Sequence, residues 1–263
     1  MPINVKTRSH LITLVPHGLV ATRGWLMEQG VARHSLDNLV KSQQLISLSH
    51  GVYKRPETKL TWEGAVCSLQ RMGRDLTVGG LSALSLQGQA HYLSLSEQKN
   101  VYLYGSDILP TWLNKLMPGI IFYYHNNTRL TGKNVTDTMS DFTIKIPWSD
   151  GGDRITMSSP ERALFEVLLD VPAKISFEHA DLLMQGLTTL SPRRLEKLLQ
   201  KISSIKVKRL FFFLTDRQQH QWRNKLNPED FDLGKGKRML AKGGRLDKAY
   251  QITVPEALYG PQQ

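Results

Sequence analysis

Over the first sixty residues the apolar positions fall into three short helical stripes and then into an alternating pair. Leu11, Ile12, Leu14 and Val15 close a first helix, which Pro16-His17-Gly18 stops. Thr22 is placed to cap a short second helix whose Trp25 and Leu26 face inward, and Gly30 permits a sharp turn after it. Val31, Leu36, Leu39 and Val40 form the core stripe of a third helix. Leu45 to Tyr53 then reads as two short strands around a polar turn that contains Gly51. Three helices followed by a hairpin predict a winged helix-turn-helix over residues 1–56.

The polar segment Lys54-Arg55-Pro56-Glu57-Thr58-Lys59 separates this pattern from the next and marks the first boundary. Between 61 and 150 helix and strand signals alternate: helices at Thr61 to Met72 and Ser82 to Tyr92, strands at Leu76 to Val78, Val101 to Tyr104, Ile120 to Tyr124 and Phe142 to Ile146. A sheet with helices packed on it is expected there. Past Gly151-Gly152, Ser159-Pro160-Glu161 starts a helix with a cap and a first-turn proline, continued by Ala163, Leu164, Val167 and Leu168. Asp181 to Gln185 and Pro192 to Ile202 are further helices, while Val207 to Leu214 is too apolar to assign by period. The fold class is α+β: the winged helix-turn-helix, a central α/β domain over 61–150, and a mainly helical, basic region over 151–263.

Composition adds limits. Of 263 residues 40% are hydrophobic and 8% aromatic, which is globular usage. No repeat or low-complexity tract occurs, so solenoids and disordered tails are set aside. The longest apolar run, Leu210 to Leu214, falls far short of the ~20 residues of a spanning helix, and no signal peptide is recognised. Cys67 is the only cysteine, so neither an internal disulfide nor a cysteine zinc site can form. A cytoplasmic protein without a membrane partner is expected.

The net charge of +11 is unevenly spread. Residues 1–60 hold 8 basic and 3 acidic side chains, residues 61–190 hold 10 and 13, and residues 191–250 hold 16 and 6. Two basic poles therefore flank a near-neutral middle, and such poles suit an anionic partner such as nucleic acid.

With its apolar stripe inward, the third helix turns His34, Asp37, Asn38 and Lys41 outward, flanked by Arg33, Ser35 and Ser42. Asn pairs with adenine, Arg or His donates to guanine, and Lys and Ser hold the phosphates that fix register. Arg23, Lys54 and Arg55 are candidate phosphate clamps from the second helix and the wing base. A merely solvated face is the competing meaning, and Asp37, which repels phosphate unless paired, counts on that side. Helix order, turn glycine, hairpin and local charge together favour DNA.

Catalytic chemistry finds little support. Thr131-Gly132-Lys133-Asn134 lacks the leading glycine and the hydroxyl of a phosphate-binding loop, and Met239 stands where a dinucleotide fingerprint after Gly234 and Gly236 needs its third glycine. Asp150 and Asp153, with Glu161 near in sequence, are isolated acids around a glycine turn rather than a converging metal site. No catalytic residue, metal or cofactor is expected.

Four segments in order resemble the AbiEi-type antitoxins of type IV toxin–antitoxin, or abortive infection, systems. They are Gly51-Val52-Tyr53-Lys54-Arg55; Gly79 to Gly88 with Ala90-His91-Tyr92-Leu93; Ser159-Pro160-Glu161-Arg162-Ala163; and Leu233 to Arg238 through Gly243-Gly244 and Tyr250 to Pro255. The resemblance implies a repressor of its own operon that binds operator DNA with inverted repeats, as a dimer or by cooperative assembly, and a C-terminal part that neutralises a nucleotidyltransferase toxin. Arg193, Arg194, Lys235, Lys237 and Arg238 are the candidate toxin or nucleic-acid contacts on the second pole. The alternatives are a stand-alone winged-helix regulator with a ligand-sensing or dimerising C-terminal domain, and a nucleic-acid enzyme targeted by its winged domain.

Overall fold

A computed structural model describes residues 5–89, 99–132, 139–148 and 152–259. The chain opens with α1 (Val5–Leu14), β1 (Val20–Thr22), α2 (Arg23–Glu28), α3 (Arg33–Lys41), β2 (Ile46–Ser49) and β3 (Val52–Lys54). The strands form an antiparallel sheet in the order β1-β3-β2. Thr22 ends β1 and caps α2, its hydroxyl accepting from the Trp25 amide at 3.4 Å, so one residue closes a strand and starts a helix. Leu11, Leu14, Val15, Leu26, Leu36, Leu39, Leu45 and Tyr53 make a small core of their own, with Trp25, Val31 and Val40 packed against it. This is a winged helix-turn-helix; β1, which closes its sheet, gave no periodic signal because it is three residues long.

A five-stranded mixed sheet follows, in the order β6-β5-β4-β8-β7. Its strands are β4 (Leu76–Val78), β5 (Lys99–Gly105), β6 (Ile120–Asn126), β7 (Thr143–Pro147) and β8 (Arg154–Ser158). The helices α4 (Trp62–Arg71), α5 (Gly80–Leu86), α6 (Thr111–Leu116) and α7 (Thr128–Thr131) interleave with them. The expected helix at Ser82 to Tyr92 begins two residues earlier and ends at Leu86, capped by the turn at Gly88; residues 90–92 lie outside the described residues. Phe142 belongs to a buried 3₁₀ turn that precedes β7 instead of to the strand itself.

Four helices come next: α8 (Pro160–Asp170), α9 (Phe177–Gly186), α10 (Pro192–Lys201) and α11 (Ile205–Gln218). Serines 159, 176, 191 and 204 each cap one of them through the hydroxyl. Val207 to Thr215 is buried on every side, which explains why this stretch showed no helical period. The chain ends in a three-stranded sheet, β10-β11-β9, built from β9 (Arg238–Met239), β10 (Arg245–Asp247) and β11 (Ile252–Val254). Strands this short carry no alternation to read, so the sequence marked no strand there. One large core runs from Trp62 to Leu258 through the five-stranded sheet, the helices and this last sheet.

The winged unit is seated directly on α4. The Val20 amide donates to the Ser68 hydroxyl at 2.9 Å, and Ser68 in turn donates to the Gly64 carbonyl at 2.6 Å. A methyl group on Gly64 would stand 2.3 Å from the Gly18 carbonyl oxygen and 3.0 Å from the Trp148 ring, so the two backbones meet where only glycine fits.

Candidate nucleic-acid interface

Helix α3 buries Leu36 and Leu39 completely and leaves Arg33, His34, Asp37, Asn38 and Lys41 exposed, the face that helical spacing assigned. Ala32, at the N-cap, offers no side-chain hydrogen bond, so the first-turn amides beside Arg33 and His34 stay available to an incoming group. Ser35 is half-buried in that first turn. At the far end Ser42 is the C-cap; its hydroxyl donates to the Leu39 carbonyl at 3.3 Å and accepts from Gln44.

The three expected clamps differ in what they touch. Arg23 is half-buried and donates through Nε and Nη2 to the Tyr53 hydroxyl at 3.0 and 2.7 Å, while its own amide donates to the Gly51 carbonyl at 2.7 Å. That bond to Tyr53 pushes the Arg23 pKa up, with a weaker attraction from Asp37 of α3. Arg23 therefore ties α2 to the wing. Lys54 is half-buried, and its ammonium donates to the Thr58 carbonyl. Arg55 is half-buried beside it. Tyr53 was missed by sequence reasoning, since an alternating strand marks it as core and hides the use of its hydroxyl.

Beside α2 lies a cleft of about 370 Å³ shared with the central region, its lining including Trp25, Glu28, Met72, Arg74, Asp107 and Trp112. Helix α6 packs next to β2, so the wing too rests on the central region.

The second basic pole divides into internal and outward cations. Lys206 donates to the Leu169 and Val171 carbonyls at 2.9 and 2.6 Å, and burial pushes its pKa down. Arg217 pairs with Asp181 at 3.0 Å and Arg223 with Asp216 at 2.7 Å. Arg209, only 3% exposed, donates to four backbone carbonyls: Leu233 and Gly236 at 2.6 Å, Gly234 at 3.0 Å and Gln251 at 3.2 Å. Burial and the nearby Arg238 push the Arg209 pKa down. In contrast Arg193, Lys235, Lys237 and Arg238 are exposed. Half-buried Arg194 stands 3.8 Å from Glu161. The structure thus brings Lys235, Lys237 and Arg238 together on one turn, with Arg193 and Arg194 on the first turn of α10.

Ser159 to Arg162 is a structural knot. Ser159 caps α8, and Glu161 accepts from the Ser191 amide at the start of α10 at 2.9 Å. Arg162 pairs with Glu166 at 2.7 Å and also donates to the Met139 carbonyl and the Asn127 side chain. Glu166 further accepts from the Gly80 amide at 2.8 Å and the Ser158 hydroxyl at 3.0 Å; complete burial pushes its pKa up against those donors. Asp153 pairs with Arg71 at 3.4 Å, and the Trp148 amide closes the β7–β8 link on the Asp153 carbonyl. Asp150 lies outside the described residues. Among the described residues no group of three or more His, Cys, Asp or Glu side chains could hold a metal ion, and no helix is long and apolar enough to cross a membrane.

Comparison with known proteins agrees with this geometry. Over 92% of the chain and 88% of its counterpart, the fold is similar to the crystal structure of the RV2827C protein from Mycobacterium tuberculosis, with a TM-score of 0.56 and 17% identity. No curated protein matches the sequence. Residues 5–95 match the N-terminal domain of the AbiEi antitoxin transcriptional regulators, and residues 98–255 match the description "Transcriptional regulator, AbiEi antitoxin, Type IV TA system". The two matches span nearly the whole chain, which therefore belongs to the AbiEi family of transcriptional-regulator antitoxins of type IV toxin–antitoxin systems.

Proposed function

We propose that this protein represses its own operon by binding inverted repeats in operator DNA, and that its C-terminal part neutralises a nucleotidyltransferase toxin. It works in the cytoplasm by binding and not by catalysis. In this reading residues 1–56 are the DNA-binding domain, and 61–150 with 151–263 form the antitoxin part. The observation that carries it is the α3 face: Arg33, His34, Asn38 and Lys41 exposed opposite the buried Leu36 and Leu39, in a chain of this family.

Arg33 and His34, at the helix N-terminus, and Asn38 one turn on reach base edges; Lys41, Ser42 and Arg55 hold phosphates. Arg23 and Lys54 act from within, fixing the wing through the Tyr53 hydroxyl and the Thr58 carbonyl. Arg193, Arg194, Lys235, Lys237 and Arg238 supply the second contact surface, for toxin or nucleic acid.

The test is binding of the purified protein to its own upstream region at several salt concentrations, beside an Arg33→Ala/Asn38→Ala/Lys41→Ala variant. Each lost base contact is worth about 1–3 kcal/mol, so the variant should lose operator preference by at least tenfold. Binding that is absent, or equal on any DNA and untouched by the substitutions, overturns the repressor reading. A chain cut after residue 60, which keeps the small core of the winged unit, should fail to rescue cells from the toxin, and rescue without residues 61–263 refutes the second half.

A further inference from the structure

Residues 233–238 form a turn in which three carbonyl oxygens converge on one buried cation. The Arg209 guanidinium takes those of Leu233, Gly234 and Gly236, together with Gln251 from the neighbouring strand. Two left-handed glycines, Gly234 at φ 65° and Gly236 at φ 75°, make this possible, since a side chain at either φ is strained. With those three carbonyls drawn inward, the side chains of Lys235, Lys237 and Arg238 stand exposed. The Gly234 amide donates to Asp232 at 2.8 Å and the Arg238 amide to the Gln251 carbonyl at 2.9 Å. Among the described residues, the amides of Lys235, Gly236 and Lys237 between them meet no acceptor. Lys235, Lys237 and Arg238, which carry or adjoin these three donors, are exposed.

Successive amides facing one side of a turn that contains left-handed residues make a concave oxyanion site, and ammonium and guanidinium groups around it select phosphate. We infer that the Gly234–Arg238 turn is a preformed phosphodiester-binding site, organised from beneath by Arg209, that grips a nucleic-acid backbone independently of its sequence. The partner class follows from the donors. Three adjacent amides with three cations match the several oxygens of a phosphate diester chain, whereas nothing in the turn is apolar enough to anchor a protein side chain except Met239 at its edge. Asp232, the acid nearest in sequence, is turned to the Gly234 amide and helps to shape the turn. The inference deepens the repressor reading and rests on it for duplex DNA as the partner.

The experiment compares full-length wild type, Lys235→Ala/Lys237→Ala/Arg238→Ala and Gly236→Ala on the operator and on a scrambled duplex of equal length, across a salt series. At about 0.9 in slope per neutralised phosphate, the triple variant should flatten the log K against log salt line by about 2–3 per bound copy on both duplexes, leaving operator preference unchanged. Gly236→Ala keeps every charge and has open space around its new methyl, so steric clash is not at issue. Its left-handed φ is lost, and binding to both duplexes should fall at least threefold. Wild-type slopes in the triple variant, or wild-type affinity in Gly236→Ala, with operator binding still sensitive to Arg33, Asn38 and Lys41, overturn this site alone. Unchanged DNA binding with lost toxin rescue would assign the turn to an acidic protein surface and equally overturn it. Wild type that binds neither duplex overturns both the site and the repressor reading.

Discussion

Replacing Ser68 by Ala is a direct way to ask whether the winged unit is held by α4 or merely follows it in sequence. Ser68 is 1% exposed and Val20 3%. The Val20 amide has the Ser68 hydroxyl at 2.9 Å as its acceptor, at the first residue of β1. Ser68→Ala removes that acceptor from a contact in which both residues are almost fully buried. A buried donor left unpaired costs about 1–3 kcal/mol. Against this, Ala is the better helix former by about 0.5 kcal/mol, and the Gly64 carbonyl keeps its helical partner when the hydroxyl goes. The expected net loss is about 1–2 kcal/mol, or about 2–8 °C in Tm at 2–4 °C per kcal/mol for a chain near this size. Thermal unfolding gives the magnitude and amide exchange the place: Val20 should lose protection together with its β1 neighbours, ahead of the five-stranded sheet. Wild-type Tm with the Val20 amide still protected would refute the reasoning, since the amide would then have another acceptor.

Two further outcomes follow from buried groups. Arg162→Met leaves Glu166 uncompensated in a site where the pair is 2% and 1% exposed, so urea unfolding should show a loss of about 3–5 kcal/mol that Arg162→Met/Glu166→Gln largely restores; a single-variant loss near 0.5 kcal/mol would show the pair to be dispensable. Burial pushes the Cys67 thiol up to about 11 from 9.0, so iodoacetamide at pH 8 should label it only after unfolding. The sign follows from the raised value: the stability from keeping this thiol neutral is complete below pH 9.0 and is lost as pH rises through about 11. Rapid labelling of the folded protein would contradict the burial.

The winged core was legible because its helices are amphipathic: Leu36 and Leu39 repeat at helical spacing against polar neighbours, and the structure buries those two and exposes Arg33, His34, Asp37, Asn38 and Lys41. Helix α11 was not, because a helix surrounded by core has no polar side to set a period. Strands β1 and β9 to β11 have two or three residues each, too few for alternation to stand out. Side-chain commitments lie further from view. Arg23 has the charge of a phosphate clamp, but a tyrosine thirty residues on claims two of its donors. Arg209 precedes an apolar run and reads as a boundary cation, while its four partners lie 24 to 42 residues away. The one available signal was a lone arginine against Leu210-Phe211-Phe212-Phe213, which demands an internal acceptor set. Gly234 to Arg238 drew attention as a defective dinucleotide fingerprint; what disqualifies it is context, since a two-residue strand and no helix follows.

Those commitments change what the charge means. Counted along the sequence, residues 191–250 carry sixteen cations against six acids. Lys206, Lys208, Arg209, Arg217 and Arg223 are bonded or buried within the fold, and Arg245 pairs with Glu256 at 3.4 Å. A partner therefore meets Arg193, Lys197, Lys225, Lys235, Lys237, Arg238, Lys242 and Lys248, which are exposed, and of these Lys235, Lys237 and Arg238 stand together on the turn that Arg209 holds. The N-terminal pole contracts in the same way once Arg23 and Lys54 are engaged, leaving Arg33 and Lys41 on α3 with Arg55 and Lys59 after the wing. Internal cations fix geometry whatever the salt concentration, whereas exposed ones act through a field that salt screens within about 8–10 Å. The salt dependence of DNA binding should accordingly track the few exposed groups and not the sequence charge. Per bound copy, a slope near −10 would require contacts from nearly every exposed cation at once, while −4 to −6 fits the α3 face and the Gly234–Arg238 turn acting together.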